Sequence, residues 1–437
     1  MIRITSLLSR RRNAQPVSDA VDVDADSDQA IQRSEPVALS VLPRPDAAPM
    51  DLGFSHPANN LLRQAEHQFG GERAYRLAFS PSQPVVELHR LAGRTEIITR
   101  IIRSIEDLDL HVIVYGTRGI GKTSLLRVVQ GLAEKAEYMV HYVSCGPSAS
   151  FCEVFRSLAN RIPLLYDRAS DPTGTAAEKG RTLADRLPDG DFSVSQLTDV
   201  LSAIQGVRVL LVLDEFDRSE ARHFRQSIGE LIKNLSDRLI RVQLLIGGVA
   251  GNITDLVTQI PSIQRNIVGI AVPNLNAGET MEMLDIAESH GHVRFDEPAR
   301  RHLIEASAGL PYLVGLLGQH AVRLANDDDS TWISDAHVRR AITQAADDIE
   351  SRLSLQSTHA IRKMLSGPQA PLLVRAAAAE VHEGGMVVDQ DIVAGLEAGR
   401  EDFQILLRPI ADDPRNGWRF LEDGAAGLVW LRVGSHK

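Results

Sequence analysis

The segment HVIVYGTRGIGKTSLLRVV, residues 111–129, restricts this chain more than any other. An apolar run, HVIVY, enters a glycine-rich turn, and an apolar-periodic stretch leaves it. The turn, GTRGIGKT at 116–123, satisfies every fixed position of G-x-x-x-x-G-K-[ST]. Gly116, Gly119 and Gly121 let the backbone curl so that successive N–H groups converge where phosphate oxygens can accept from them. The positive end of the following helix adds attraction. This places Gly116, Thr117, Arg118, Gly119, Ile120, Gly121, Lys122, Thr123 and Ser124 around a polyphosphate. Lys122 reaches the β- and γ-phosphates and the Thr123 hydroxyl ligates Mg²⁺. No N-K-x-D guanine motif is present, which leaves ATP as the nucleotide.

A second segment supplies what the loop lacks. VLLVLDEFD, 209–217, is a buried-strand pattern ending in acids. Open α/β sheets bind ligands at the carboxyl ends of their strands, so Asp214 is placed to hold Mg²⁺ through water. Glu215 is placed to orient or deprotonate an attacking water, and phosphoryl transfer asks little more of a protein than such positioned charge. Asp217 either joins this group or caps the next helix. Beyond the strand VQLLIGG, Asn252 either senses the γ-phosphate or caps a short helix at 253–257. Arg265, just before the last strand, either reaches a neighbouring subunit's nucleotide or ends a helix in solvent.

Along the chain, residues 13–50 combine few large apolar residues with several Pro and the acidic run DAVDVDADSD. Such a stretch cannot bury enough surface to offset its ordering entropy, so residues 1–60 are expected to be a disordered tail. A short helix is expected at 60–69, and its prolines extend 79–94. From 95 onward helices (96–105, 122–135, 150–162, 198–204, 221–235) alternate with apolar strands (111–115, 138–144, 207–213, 241–247, 267–272). This pattern indicates a parallel sheet covered on both faces. Residues 166–192, with Gly, Pro and Asp, look like a loop or lid insertion. Four helices follow at 278–289, 297–307, 311–325 and 334–350. The tail shows helices at 370–381, 389–396 and 403–411. WRFLEDGAAGLVWLRV, 418–433, then alternates like a hairpin. The expected fold is α/β: a parallel P-loop NTPase sheet over 61–275, a helical lid over 276–350, and a small winged-helix-like α+β domain over 351–437.

Composition sets limits on partners. With 437 residues there is room for two or three domains, and 43% hydrophobic and 24% charged residues are ordinary for a globular protein. Only 5% are aromatic, so the core rests on aliphatic side chains. A net charge of −10 excludes a uniformly basic coat for nucleic acid, though not a local patch. Cys145 and Cys152 form no disulfide framework and fit a reducing, cytoplasmic compartment. No apolar run reaches the roughly 20 residues of a membrane helix. In MIRITSLLSRRR the run Arg10–Arg12 follows a short apolar stretch, the wrong order for a secretory signal.

Taken together, GR at 93–94, YGTRGIGKTS, LDEFD, LLIGG and SIQRNIVGIAVPNL resemble the AAA+ ATPases over about 79–350. The likeness is closest to the initiator branch that includes origin-recognition proteins, with a weaker likeness to a winged-helix tail beyond. The resemblance implies that Gly93 and Arg94 lie near the adenine, that Arg265 is an arginine finger and that 277–350 is the lid. It implies a homo-oligomer in the ATP state and DNA association through the tail. Two features depart from the initiators. The sensor position aligns near Gly251, with Asn252 one place off. The lid reads Gly309-Leu310-Pro311, where initiators carry an Arg nearby. A Gly-x-Pro there is similar to the STAND ATPases, slow signalling switches whose tails contact a protein partner. The tail itself does not favour DNA: from residue 351 onward ten basic residues face eleven acidic ones, and non-specific DNA binding is mainly electrostatic.

Overall fold

Strand β3 (Val209–Asp214), VLLVLD, is buried along its whole length. A strand that is apolar on both faces needs neighbours on both edges and helices above and below. The computed structural model supplies them. It describes residues 79–81, 83–168, 180–219, 222–249, 263–291, 293–383, 394, 401–409 and 418–433. Around β3 stand β1 (His111–Gly116), β2 (Met139–Ser144), β4 (Val242–Val249) and β5 (Ile267–Ala271), all parallel, in the order β2-β3-β4-β1-β5. β1, which feeds the glycine loop, therefore lies inside the sheet, one strand away from β3.

The period-2 alternation of the strands divides the core. Ile113, Leu211, Leu213, Leu244 and Ile246 face one side. They are covered by α3 (Phe151–Ala159), α4 (Val194–Leu201) and α5 (Arg222–Asp237). Val112, Val114, Leu210, Val212 and Leu245 face the other, under α1 (Thr95–Glu106) and α2 (Lys122–Lys135). α4 begins in a capping box, with Ser193 Oγ accepting from Gln196 N–H and Gln196 Oε1 accepting from Ser193 N–H. That box starts the helix one turn before the expected 198. The stretch expected as a loop or lid at 166–192 departs more. A short 3₁₀ turn, Leu183–Arg186, and Phe192 bring Leu183, Leu187 and Phe192 into the core against Phe151 and Phe155. Its apolar residues are too widely spaced to register as an element, yet burial fixes them; the described part covers a sheet face and does not line the nucleotide cleft.

After the sheet come α6 (Ala277–Gly291), α7 (Glu297–Ser307), α8 (Pro311–Asp327) and α9 (Asp335–Glu350). Helices stand where four were expected, in the stretch expected to be a lid, and they carry a parallel two-residue pair not foreseen, β6 (Arg294–Phe295) with β7 (Trp332–Ile333). Next stand α10 (Leu355–Leu365), α11 (Ala370–Glu383) and α12 (Glu401–Leu406). An antiparallel ribbon of β8 (Leu407–Pro409) with β9 (Trp418–Phe420) follows, and then α13 (Ala425–Val433). The expected hairpin within 418–433 is thus corrected. The ribbon forms one strand earlier, shortening the helix expected at 403–411, and AAGLVWLRV is a helix. Ala425, Ala426, Leu428, Val429 and Leu431 are all buried, and an apolar segment wrapped on every side loses the period that separates helix from strand. Lid and tail share one apolar cluster running from Phe79 to Leu431, without a break at 351. The expected tail at 1–60, the helix at 60–69 and most of 389–396 lie outside the described residues.

Candidate nucleotide site

The glycine loop closes over the carboxyl edge of the sheet. Gly119 has φ +79° and Gly121 φ +93°, the left-handed region that admits glycine at little strain. α2 starts at Lys122, as the motif requires. Lys122 Nζ donates to the carbonyls of Gly116 (3.0 Å) and Thr117 (2.7 Å). Its side chain is buried, and burial pulls its pKa down to about 8, with Asp217 and Asp214 opposing the shift. Gly116 and Thr117 present carbonyls to Lys122 and do not line the cleft.

Asp214 ends β3 and is 3% exposed. Its Oδ1 accepts from Glu215 N–H at 2.8 Å and its Oδ2 from Tyr142 Oη at 2.5 Å. Glu215 has φ +54°, a conformation a non-glycine residue adopts only where the surroundings impose it. Its Oε2 accepts from Ser144 Oγ at 2.8 Å and from Arg218 at 3.1 Å. Asp217 lies in a 3₁₀ turn, Phe216–Arg218, and its Oδ1 accepts from Val249 N–H at 2.8 Å, so it ties the end of β4 to the site and does not cap α5. Nearby, burial and these three carboxylates push the Cys145 thiol up to about 12, which leaves it inert.

A cleft of about 520 Å³ joins these groups to the lid. Arg118–Ser124, Asp214, Glu215 and Asp217 supply its polar lining. Leu91, Ala92, Met283, Ile286, Pro311 and Gly315 add apolar lining of a kind that accepts a flat base. Ser80, Pro81 and Gln83–Val86 also line it, held where Val85 N–H donates to Ser124 Oγ at 3.0 Å. The lid rests on the loop itself: Tyr312 N–H donates to Gly119 O at 3.1 Å, and a methyl group on Gly119 would lie 2.8 Å from Tyr312 Cβ. Gly309, at φ +70°, makes this approach possible. Its carbonyl accepts from Leu275 N–H at 2.8 Å, and a Cβ there would fall 2.0 Å from Leu275 O. The tail also reaches the loop, because Arg118 pairs with Asp423, just after β9.

Not every expected residue takes its expected place. Arg94 lines the cleft, but its guanidinium donates to Pro273 O (2.8 Å) and Ile120 O (3.5 Å); it braces the loop against the start of the lid. Gly93 faces α6 and not the cleft, its N–H donating to Glu282 Oε2 at 3.1 Å. Arg265 is exposed before the amino end of β5, at the sheet edge opposite the loop. Asn252 lies outside the described residues. Tyr142, Ser144, Tyr312 and Asp423 were not singled out from sequence. The parallel register sets Ser144 beside Asp214, but only once strand order is known.

The model of a family described as Novel STAND NTPase 6 matches residues 91–223, which include the glycine loop and the Asp214–Glu215 pair. No curated protein matches the chain. Among solved structures, the Walker-type ATPase of Pyrococcus abyssi aligns at TM-score 0.48 and 16% identity, covering 80% of this chain and 99% of that one. The Aeropyrum pernix ORC2 protein, solved as ADPNP–ADP complexes, aligns at 0.45 and 16%, covering 84% and 99%. The Thermotoga maritima RuvB Holliday junction branch migration motor aligns at 0.41 and 15%, covering 78% and 95%. Among the described residues no helix is long and apolar enough to cross a membrane.

Proposed function

We propose that this chain is an ATP-binding switch of the AAA+/STAND type. Mg-ATP sits between the glycine loop and the lid, and the lid and tail respond to which nucleotide is bound. The observation that carries this reading is that both regions touch the phosphate loop, α8 through Tyr312 on Gly119 and the tail through Asp423 on Arg118. A triphosphate at 119–123 competes with Asp423 for the Arg118 charge and changes the loop on which Tyr312 rests.

The residues fit their roles. Lys122 neutralises the β- and γ-phosphates. The Thr123 hydroxyl and the buried Asp214 carboxylate, both lining the cleft, are hard oxygen donors suited to Mg²⁺, which keeps several of its waters. Bound Mg²⁺ supplies charge neutralisation across the phosphates. Glu215 orients the attacking water, and its engagement by Ser144 and Arg218 favours slow turnover. The apolar lining, with Pro311, takes the adenine. Arg265, remote from its own cleft, acts on the nucleotide of a neighbouring copy in an ATP-state oligomer. The tail binds a protein partner.

A second reading, DNA association through the tail, rests on the helix-then-ribbon order of α12, β8 and β9. Salt-dependent binding to duplex DNA with and without ATP decides between the two; affinity that falls steeply with salt would favour DNA. For the central claim, Lys122→Ala is expected to abolish ATP binding, and Glu215→Gln to bind ATP without turning it over. Micromolar affinity retained in Lys122→Ala would sink it.

A further inference from the structure

Tyr142 lies on β2, behind the site and outside the cleft lining, yet it makes the shortest contact to the metal carboxylate. Its Oη donates to Asp214 Oδ2 at 2.5 Å, while Glu215 N–H holds Oδ1. Both oxygens of a carboxylate that is 3% exposed are therefore engaged. The far face of the Tyr142 ring is covered by Arg127, whose guanidinium carbon is 3.4 Å from the ring centroid. A cation at that distance is held by the ring quadrupole, and it makes the phenol a better donor. Arg127 stands on α2, one helical turn beyond Thr123.

The geometry matters because one cation must meet two elements. The Thr123 hydroxyl belongs to α2 and the Asp214 carboxylate to β3. The path from α2 through Arg127 and Tyr142 to Asp214 joins these elements on the side away from the cleft. We infer that Tyr142 is a positioning residue for Mg²⁺. It fixes Asp214 Oδ2, is itself fixed by Arg127, and so sets the separation of carboxylate and hydroxyl at which a hydrated Mg²⁺ fits. This rests on the Mg-ATP reading above. Without the phenol, Asp214 keeps its charge but gains freedom to rotate, and one buried oxygen loses its donor. Partners of this second-layer kind are worth about 10- to 100-fold in metal affinity where they have been removed from other sites.

The test uses the full chain and ATP, titrated first in excess EDTA and then across Mg²⁺ concentrations. Tyr142→Phe is expected to keep its EDTA affinity within about twofold and to raise the Mg²⁺ concentration for half-saturation about tenfold. Arg127→Met, which retains the phenol but removes the cation, is expected to move it in the same direction by about threefold. A merely structural role for Tyr142 would shift both affinities together. If Tyr142→Phe has the wild-type Mg²⁺ requirement, the inference is overturned. Where Tyr142→Phe lowers the urea midpoint, Arg127→Met decides, and an unmoved Mg²⁺ requirement there overturns it equally. Wild-type protein that binds no nucleotide under either condition would remove the Mg-ATP reading itself. Normal wild-type binding with an unmoved Mg²⁺ requirement in both variants removes only the role of Tyr142.

Discussion

Raising the pH is a perturbation aimed at one atom of this site. Burial lowers Lys122 to about 8, so its ammonium is about nine-tenths charged at pH 7 and about one-tenth at pH 9. A triphosphate bound at Nζ restores the charge and draws the proton back. Affinity should therefore fall by about tenfold, ~1.4 kcal/mol, between pH 7 and pH 9. Binding at pH 8 should take up about half a proton. Ionisation of the terminal phosphate, with a pKa near 6, is largely complete by pH 7 and acts in the opposite sense, so it cannot imitate the effect. The assay is calorimetric titration of ATP at pH 7, 8 and 9, repeated at pH 8 in two buffers of different ionisation heat. Lys122→Arg keeps its charge throughout and should bind more weakly but with no slope. A wild-type affinity that changes less than twofold over this range would refute the reasoning, as would an equal slope in Lys122→Arg.

Two further outcomes follow from other groups. His111 opens β1 with Nδ1 accepting from Leu244 N–H at 3.0 Å, and burial pulls its pKa down to about 4. The native state thus prefers the neutral ring: its contribution is complete above the ordinary value of about 6.5 and is lost as pH falls towards 4, costing about 2 kcal/mol at pH 5. Urea midpoints of wild type and His111→Gln at pH 7 and 5 check this; an identical acid loss in both would contradict it. Asp423→Asn removes the partner of Arg118, and because both side chains are more than half exposed, unfolding stability should move by less than about 0.5 kcal/mol. ATP affinity should nevertheless rise roughly twofold as an anion leaves the phosphate site. An unchanged affinity would mean that Asp423 does not compete with phosphate.

Legibility from sequence tracked how local each determinant is. Helix α2 is legible to the residue, and the strand before the glycine loop to within one, because backbone chirality, charge and spacing all lie within twenty positions. The buried strands were found because aliphatic runs bounded by acids and glycines have few other uses. α10 has no counterpart in the sequence reading because on its buried face of Ser357, Ala360, Ile361 and Met364 only two residues are large and apolar, too few to mark a helical period. α13 reads as a strand from its sequence because it is apolar nearly all round. The polar surroundings of Asp214 and Glu215 were invisible for another reason. Tyr142 and Ser144 become neighbours of β3 through strand order alone, and Asp423 meets Arg118 across 305 residues. Such contacts have no sequence period to betray them.

The packing also limits how this site can move. Because α9, α11 and α13 share one apolar cluster with α8, separating tail from lid would expose core, at about 25 cal/mol for each Å² of apolar surface. Rotating the two together exposes far less. The chain between sheet and lid is where such a rotation is absorbed, and several of its bonds are directional polar contacts. Arg94 holds Pro273 O, Asn274 Nδ2 donates to Ala308 O (2.9 Å) and Val381 O (2.6 Å), and Leu275 N–H meets Gly309 O. An exposed ion pair such as Arg118–Asp423 is worth about 1 kcal/mol at most, a shift of roughly fivefold in a two-state population. It can report nucleotide but cannot by itself hold the lid. On the proposed switch reading, the larger difference between nucleotide states has to arise where α8 sits on the loop, at Gly119 and Tyr312. A lid movement driven from there carries the tail with it, and Asp423 leaves Arg118 as a consequence of the rotation.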